Sequence, residues 1–289
     1  MCMRNTSEGC VLSEQQSALK KEVLSLDERM DKLEKDFATM RSETLDGFRQ
    51  GAEVMREIGA SVSNLSRDLL CCYDGIRNVD ATSPHSTTST AWKDLVSGNA
   101  LKKHSTASWG ENCRVYSGGC EYRNINQAIA DAFNGQNYTI EFVVKPNSNT
   151  GADWLCLGSA SSSPDVRERI QGIASNNVIN YLQNAPGYKI VWSDTYSTQS
   201  ISHFCGMQDS STAGRVFYNG VKSSFTRDFT APTWSTSMFL VIANEPMHRN
   251  ISNYVLRGNV YAMRMYGRAL TDAEAAHNYA VDKARFNLA

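Results

Sequence analysis

The first part of the chain has an apolar stripe with the spacing of a coiled coil. Between residues 19 and 40 the steps between apolar positions alternate between four and three, the 3.5-residue period of helices that wind around each other. The stripe consists of Leu19, Val23, Leu26, Met30, Leu33, Phe37 and Met40. The sequence predicts a coiled-coil stalk over residues 11–72 that joins several copies of the chain, preceded by a polar tail over residues 1–10.

Charged residues beside the stripe weakly favour a parallel bundle. With Val23 at heptad position a, two of the three charge pairs between neighbouring chains are attractive and one is repulsive. The attractive pairs are Arg29 with Glu34 and Asp36 with Arg41, and the repulsive pair is Glu22 with Asp27. After Met40 the register shifts, so the sequence leaves open whether the stalk is one continuous helix. A single amphipathic helix folded back on the rest of the chain is the alternative.

The pattern changes after a stretch rich in serine and threonine. Residues 81–91 have the sequence ATSPHSTTSTA, which predicts a linker over residues 73–91. From Trp92 onward the apolar period is two, and turn residues separate short apolar runs. The predicted strands are Tyr138–Pro146, Trp154–Gly158, Tyr188–Trp192, Arg215–Tyr218 and Val221–Lys222 joined by a hairpin turn at Asn219-Gly220, Ser237–Ile242 and Gly258–Tyr266. This pattern predicts an all-β jelly-roll sandwich over residues 92–289.

Two helices are predicted within the strand region. Residues 123–133 have a helical pattern. Near the end of the chain, Thr271 and Glu274 have the spacing of a capping box, so a helix is expected from there to about Arg285. The predicted fold is therefore an N-terminal α-helical coiled coil followed by an all-β sandwich with a short C-terminal helix.

The strand region resembles the laminin-G-like and concanavalin-A-like domains of bacterial and phage proteins. The segments that carry the resemblance follow the order and spacing of the family, and they are Trp92–Asn99, Tyr138–Pro146, Asn219-Gly220 and Gly258–Glu274. The resemblance covers residues 92 to 286 and implies a jelly-roll domain that binds glycans or proteins. Some branches of the family are glycoside hydrolases. The acidic cluster of a calcium site is missing, so the resemblance implies no metal.

Composition narrows the possible partners. The formal net charge is -1 and there is no basic run, which disfavours nucleic acid. No apolar segment approaches the length of a membrane span, and the polar start of the chain lacks the apolar core of a signal peptide. The eight cysteines fit no zinc spacing and are expected to be mostly free thiols. Cys113 and Cys120 are the best disulfide candidates in an oxidising medium.

The sequence does not have the pattern of a hydrolytic enzyme. Glycosidases of this fold carry closely spaced carboxylates on one strand, so that one acid and one nucleophile flank the sugar bond. Here Glu141 is alone on its predicted strand, and Asp153, Asp165 and Glu168 fall in predicted loops. His203 near Cys205 has no third, orienting group. We therefore expect no catalytic residues, no cofactor and no metal.

Sugar binding is the activity that the residues favour. It needs aromatic faces that stack on the C–H surfaces of a sugar, together with amide and acidic groups that bind its hydroxyls. Trp154 and Trp192 lie in predicted strands and are expected in the core. The candidate ligand-binding residues are Trp234, Tyr196, Tyr188, Asn176, Asn177 and Asn244.

The predicted architecture is typical of a phage virion fibre or appendage protein. In this hypothesis the stalk forms a homo-oligomer, with a trimer favoured by analogy, and the N-terminus docks on other virion proteins. The jelly roll then meets a glycan or protein of the host surface. The alternatives are a bacterial surface or secreted glycan-binding protein and, second, a polysaccharide-degrading enzyme. Such a virion protein would be made in the host cytoplasm and released in the particle.

Overall fold

The structure is a computed structural model whose described residues fall into two units, residues 1–62 and 63–289. The described residues are 16–17, 19–22, 25–26, 29–37, 39, 67–80, 82–83, 85–104, 107–147, 152–159, 166–173, 177–183, 189–229, 233–244 and 255–288.

In the first unit, every described residue between 16 and 39 is helical and exposed. Five members of the predicted stripe are among them, and their side chains are between 50% and 68% exposed: Leu19, Leu26, Met30, Leu33 and Phe37. Val23 and Met40 lie outside the described residues. The predicted helix is confirmed at the described positions, whereas the coiled-coil pairing stays a prediction.

The second unit is a sandwich of two antiparallel sheets. The eight-stranded sheet has the order β13-β12-β11-β6-β15-β4-β3, and β1 also pairs with β15. Its strands are β1 (Leu69–Asp74), β3 (Ala107–Trp109), β4 (Arg114–Tyr116), β6 (Tyr138–Pro146), β11 (Ser202–Gln208), β12 (Ala213–Tyr218), β13 (Val221–Thr226) and β15 (Gly258–Tyr266).

The seven-stranded sheet has the order β10-β9-β8-β7-β14-β5-β2. Its strands are β2 (Lys102–His104), β5 (Cys120–Asn124), β7 (Ala152–Gly158), β8 (Val166–Ile173), β9 (Val178–Gln183), β10 (Lys189–Thr195) and β14 (Phe239–Ile242). The jelly-roll prediction is confirmed, because short strands with alternating patterns form two facing layers.

The core lies between the two sheets. On β6, Ile140, Phe142 and Val144 are at most 1% exposed and belong to one cluster with the inner side chains of the other sheet, such as Ile170 and Tyr181. Burying a large apolar side chain of this kind contributes roughly 1.5–3 kcal/mol. The apolar positions of the predicted strands therefore account for how the two layers hold together.

The sandwich begins earlier in the chain than predicted. Residues 69–72 were assigned to the stalk and residues 73–91 to a linker, but Leu69–Asp74 form β1 and pair with β15. Asp94 accepts a hydrogen bond from the Cys72 amide (2.8 Å), and the Trp92 indole donates to the Asp74 carbonyl (3.0 Å). These contacts draw the segment before Trp92 into the sandwich, so the boundaries at 72 and 91 were wrong.

A short helix, α1 (Gln127–Asn134), follows β5. The helix predicted over residues 123–133 therefore starts too early, because Arg123 and Asn124 end β5. Asn126 caps α1 by accepting a hydrogen bond from the Ile129 amide at 2.9 Å.

The C-terminal helix, α2 (Asp272–Phe286), starts at the predicted capping box of Thr271 and Glu274. It covers the outer face of the eight-stranded sheet through a buried ionic cluster. Arg264 on β15 contacts Asp282 of α2 at 2.7 Å and Glu141 of β6 at 3.2 Å. Burial alone would raise the pKa of Asp282, but Arg264 lowers it below its ordinary value. With α2 on this face, the outer face of the seven-stranded sheet is the surface to examine for a ligand site.

The Asn219-Gly220 turn has the positive φ angles (49° and 81°) that a type I′ hairpin needs, as predicted. The six cysteines among the described residues are buried thiols, and no disulfide joins any two of them. Cys113 and Cys120 lie in different hydrophobic clusters, so the structure does not pair them.

Candidate functional site

Trp234 is not the exposed aromatic that the sequence predicted. Its side chain is 4% exposed, and its ring centroid lies 4.6 Å from that of Phe133 on α1. The Asn134 carboxamide accepts a hydrogen bond from the Trp234 amide (2.7 Å) and donates one to its carbonyl (3.1 Å). These two hydrogen bonds hold the loop against α1, so Trp234 packs in the core and offers no face to a sugar.

Three other predicted residues lie at one end of the seven-stranded sheet. Asn177 precedes β9, Tyr196 follows β10 and Asn244 follows β14, and the antiparallel order brings these strand ends together. The Tyr196 amide donates to the Asn177 carbonyl at 2.7 Å. Asn244 is fully buried, and Trp234, which precedes β14, lies at the opposite end of the sheet. Tyr188 and Asn176 lie outside the described residues.

Beside this end, four polar residues form a row across β7, β8, β9 and β10. Asp153 is opposite Gln171, Gln171 is opposite Asn180, and Asn180 is opposite Ser193. Residues directly opposite each other share one face of a sheet. We call these four residues, Asp153, Gln171, Asn180 and Ser193, the outer polar row.

The row faces away from the core. Ile170 and Ile179, which alternate with Gln171 and Asn180 along β8 and β9, belong to the cluster between the sheets. Ser193 is exposed and Gln171 is half-buried, so one acid, two amides and one hydroxyl line this part of the outer face. Amide, carboxylate and hydroxyl groups can all form hydrogen bonds with hydroxyl groups.

An ion pair joins one member of the row, Asp153, to a residue beside the row. The Arg169 guanidinium, two residues before Gln171 on β8, is 3.4 Å from the Asp153 carboxylate. The two residues are 9% and 2% exposed. Their charges compensate each other where water is largely excluded.

Two hydrogen-bonding groups at this end of the sheet are not used within the described part of the chain. The Tyr196 hydroxyl and the Asn177 carboxamide oxygen are buried and have no hydrogen-bond partner there. Burial raises the pKa of Tyr196, so its hydroxyl stays neutral. A buried polar group without a partner is costly, and a ligand that pairs with it recovers that free energy.

Trp154 and Gly172 position Tyr196 on the core side of the sheet. The rings of Trp154 and Tyr196 meet edge to face with centroids 5.0 Å apart. A Cβ atom at Gly172 would lie 2.7 Å from the Trp154 ring, so glycine is what lets the indole fit. The position of Tyr196 therefore depends on a glycine on the adjoining strand.

Asp153 and Glu168 do not form a catalytic pair. Both lie on strands, β7 and β8, and not in the loops that the sequence predicted. Asp153 belongs to the outer face, whereas Glu168 is opposite Gln183 and accepts a hydrogen bond from Tyr138 on the other sheet. Because the two carboxyl groups lie on opposite faces of the sheet, they cannot flank one glycosidic bond. Asp165 lies outside the described residues.

His203 and Cys205 do not form an accessible nucleophile with its base. Both are fully buried on the side of β11 that faces α2, where His203 lies 3.5 Å from Asp282. Burial and the nearby Glu141 raise the pKa of the Cys205 thiol. A thiol of this kind remains protonated at neutral pH.

Within the described residues, no group of three or more histidine, cysteine or acidic side chains is placed to hold a metal ion. None of the described helices is long and apolar enough to cross a membrane.

Sequence reasoning missed most of the outer polar row. The sequence predicted a loop at Asp153, and no local pattern indicated Gln171, Asn180 or Ser193 as candidate ligand-binding residues. The alternation of Arg169 and Gln171 with Glu168 and Ile170 is a local signal for β8. The register that aligns the four strands depends on contacts that no local pattern contains.

A sandwich of two antiparallel sheets with this order defines a lectin-like jelly-roll domain. Residues 118–276 match the family described as the concanavalin A-like lectin/glucanases superfamily, in its laminin-G form. This range is more than half of the chain, and the protein belongs to that superfamily. Strands β1 to β4 precede the matched range. No curated protein matches the chain.

Solved structures share this fold at low sequence identity. Domain 4 of AbnA, a GH43 extracellular arabinanase from Geobacillus stearothermophilus in complex with arabinotriose, has a TM-score of 0.55 at 14% identity, over 73% of this chain and 98% of that one. Trypanosoma rangeli sialidase in complex with sialic acid has a TM-score of 0.55 at 14% identity, over 73% of this chain and 32% of that one. The botulinum neurotoxin serotype D binding domain has a TM-score of 0.55 at 12% identity, over 75% of this chain and 53% of that one. At these identities the likeness shows the fold alone.

Proposed function

We propose that the jelly roll is a non-catalytic glycan-binding domain whose site lies at the end of the seven-stranded sheet where Asn177 and Tyr196 meet. The observation that carries the proposal is the pair of buried hydrogen-bonding groups at this end of the sheet, the Tyr196 hydroxyl and the Asn177 carboxamide oxygen, which have no partner within the described part of the chain. Membership of a lectin and glucanase superfamily supports binding to carbohydrate.

Hydrogen bonds, rather than stacking on an aromatic face, are the proposed source of affinity. None of the described tryptophans and tyrosines is exposed. Trp192, which contacts Phe204 and Tyr218, packs toward the core, as its strand position predicted. Affinity for one site should therefore be modest, and repeated copies of the site would raise it.

Tyr196→Phe tests this site with a minimal change. The variant removes only the unused hydroxyl, so the fold should be retained while glycan binding weakens about fivefold, equivalent to about 1 kcal/mol for one neutral hydrogen bond. A glycan array identifies a binding oligosaccharide, and calorimetry then compares the two proteins. Ser224→Ala, an exposed hydroxyl of β13 on the other sheet, is the matched control. Equal affinity of Tyr196→Phe and the parent chain would place the site elsewhere.

We further propose that the protein is a fibre or appendage of a phage virion, with the jelly roll turned toward the host surface. The architecture supports this role, because an exposed heptad stripe precedes a lectin-like domain in one chain. The residues before the stripe are proposed to dock on other virion proteins. Mass spectrometry of purified particles tests the proposal. Detection only in particle-free culture supernatant would favour the bacterial secreted alternative.

Homo-oligomerisation through the N-terminal helical segment is part of this proposal. Five apolar side chains that are at least half exposed are costly in water, and a second and third copy of the chain would cover them. Light scattering at micromolar concentration should give a multiple of the 32.0 kDa chain mass, with three copies favoured by analogy to virion fibres. A monomeric mass would contradict the proposal.

A further inference from the structure

We infer that the site takes the terminal sugar of a glycan, inserted between the two sheets, and not an internal stretch of the glycan chain. This inference rests on the proposed glycan-binding function and names the part of the glycan that the same site recognises.

On the seven-stranded sheet, Asn177 and Tyr196 face the space between the layers. The Tyr196 amide donates to the Asn177 carbonyl, so the two residues continue the pairing of β9 with β10 by one step. Alternation along β9 places Asn177 on the same side as Ile179, and both Ile179 and Tyr196 belong to the core cluster. The Tyr196 hydroxyl and the Asn177 carboxamide oxygen, which have no partner among the described residues, therefore lie at the end of the sandwich, between its sheets.

The eight-stranded sheet places two further hydroxyls at the same end. Ser202 begins β11 and Tyr218 ends β12, and their hydroxyl oxygens are 2.9 Å apart. Tyr218 belongs to the core cluster and Ser202 is opposite Val144 of that cluster, so both also face the space between the sheets. Burial raises the pKa of the Tyr218 hydroxyl, and the nearby Tyr196 raises it further. Hydroxyls of both sheets thus lie close to one another at this end.

Two indole rings enclose these groups. The Trp154 ring centroid is 5.0 Å from that of Tyr196, and the Trp192 ring centroid is 5.4 Å from that of Tyr218. Trp192 belongs to β10, the last strand of its sheet, so its contact with Tyr218 of the other sheet joins the two layers beside the site.

The core closes the space between the sheets on its inner side. The next inward-facing residues of β9 and β11 are Ile179 and Phe204, and both are fully buried. A ligand therefore enters from the end of the sandwich and cannot pass through. An internal sugar has a neighbour on each side and needs an open groove, whereas a terminal sugar has only one neighbour and fits a space that is closed at the back.

The hydrogen-bonding groups also fit a terminal sugar. The Asn177 oxygen only accepts hydrogen bonds, whereas the Tyr196 hydroxyl can donate one. One free sugar hydroxyl donates to the first and accepts from the second, so it satisfies both. The hydroxyl at the chain end is the one that an internal unit has lost to the next glycosidic bond, and its hydrogen distinguishes the two kinds of unit.

Chain length tests the inference on the parent protein. The probes are linear cello-, xylo-, arabino- and malto-oligosaccharides, each as a series of increasing length, titrated by calorimetry. For a series that binds, the molar affinity should change less than about twofold beyond the trisaccharide, because further units lie outside the site. A groove that contacts consecutive units would instead gain about fivefold with each added unit, equivalent to one further hydrogen bond.

Competition with linear polysaccharides gives a second measurement. At equal mass, a partly hydrolysed polymer has more chain ends than the intact polymer from which it was made. Inhibition should therefore increase in proportion to the new ends, which a reducing-end assay counts. Equal inhibition by both forms would show that internal units are bound.

Variants of the eight-stranded sheet test the insertion between the sheets. Tyr218→Phe and Ser202→Ala should each weaken binding of the terminal sugar about fivefold, as expected for Tyr196→Phe, although these residues belong to the other layer. Tyr261→Phe is the matched control, because Tyr261 belongs to the same sheet but packs against Phe286 of α2 on the opposite face. The control should bind like the parent chain. Thermal unfolding of each variant verifies that it folds.

The outcomes separate the two proposals. Absence of binding to any probe contradicts the proposed function and, with it, this inference. Affinity that rises with every added unit keeps the glycan-binding function and overturns recognition of a chain end. If Tyr196→Phe weakens binding while folded Tyr218→Phe and Ser202→Ala do not, the ligand does not enter between the sheets. The chain-length series on the parent protein decides the question even if a variant fails to fold.

Discussion

Glu168 is a carboxylic acid placed inside the sandwich, where it helps to join the two sheets. Tyr138 of β6 donates a hydrogen bond to it, and Gln183 of β9 contacts Tyr138 (3.3 Å), Tyr181 (3.2 Å) and Gln208 of β11 (2.9 Å). Burial raises the pKa of Glu168 from 4.5 to about 7, although the hydrogen bond from Tyr138 opposes that shift. Below neutral pH the side chain is therefore mostly uncharged.

The raised pKa makes stability depend on pH. Between about 4.5 and about 7 the folded protein keeps a proton that the unfolded chain releases. The contribution of Glu168 is thus full below 4.5 and is lost as the pH rises through about 7. Its size is on the order of 3 kcal/mol. Glu168→Gln keeps an acceptor for Tyr138, so urea unfolding at pH 5 and pH 8 should show a smaller difference than in the parent chain. An unchanged difference would assign the pH dependence to other groups.

Gly172 is a second residue whose replacement has a defined effect. Alanine there would bring a Cβ atom to 2.7 Å from the Trp154 ring, so Gly172→Ala should lower the free energy of unfolding by about 1–3 kcal/mol. It should also weaken glycan binding, because Trp154 supports Tyr196. Gly267→Ala is the control, since its Cβ atom meets only the Leu70 side chain at 3.4 Å. Equal thermal stability of the two variants would show that Trp154 moves aside at little cost.

At the scale of elements, β1 determines where the domain begins. Cys71 and Tyr73 of β1 are fully buried, and Asp94 reaches from the loop before β2 to both the Cys72 amide and Arg123 of β5, the latter at 3.2 Å. The segment before the family match is therefore part of the folded layer.

Two truncations test this boundary. A chain of residues 63–289 retains β1, whereas a chain of residues 92–289 loses it and exposes the edge of β15 from Ala262 to Tyr266. The shorter chain should be less stable by about 3 kcal/mol or more, since several buried side chains lose their contacts. Urea unfolding of both chains measures the difference. Similar midpoints would mean that β1 is dispensable.

Elements with a strong local signal were predictable from the sequence. Strands β6 and β15 have the predicted bounds, and α2 starts at its capping box because alternation and caps act over a few residues. β1 was missed because Leu69 continues the apolar pattern from which the stalk was predicted. Trp234 was misassigned because its burial depends on Asn134, 100 residues away in the sequence. The outer polar row was missed for the same reason, since pairing between strands creates it.

For the whole molecule, the exposed apolar stripe of the N-terminal helical segment is the feature to test. Leu33 is 67% exposed in the single chain, so Leu33→Ser should cost the monomer little and should lower the mass measured by light scattering. Lys32→Ser, an exposed neighbour off the stripe, should leave the mass unchanged. If Leu33→Ser has the same mass as the parent chain, the stripe does not hold the copies together.

The pairing of β1 with β15 also has a mechanical consequence. Any tension transmitted along the chain from residues 1–62 enters the sandwich at Leu69, which is opposite Tyr266. Its partner β15 is an inner strand of the eight-stranded sheet, with β6 hydrogen-bonded along its other edge. A pull on the tether therefore loads first the hydrogen bonds between β1 and β15, since β15 is the one described strand with which β1 pairs.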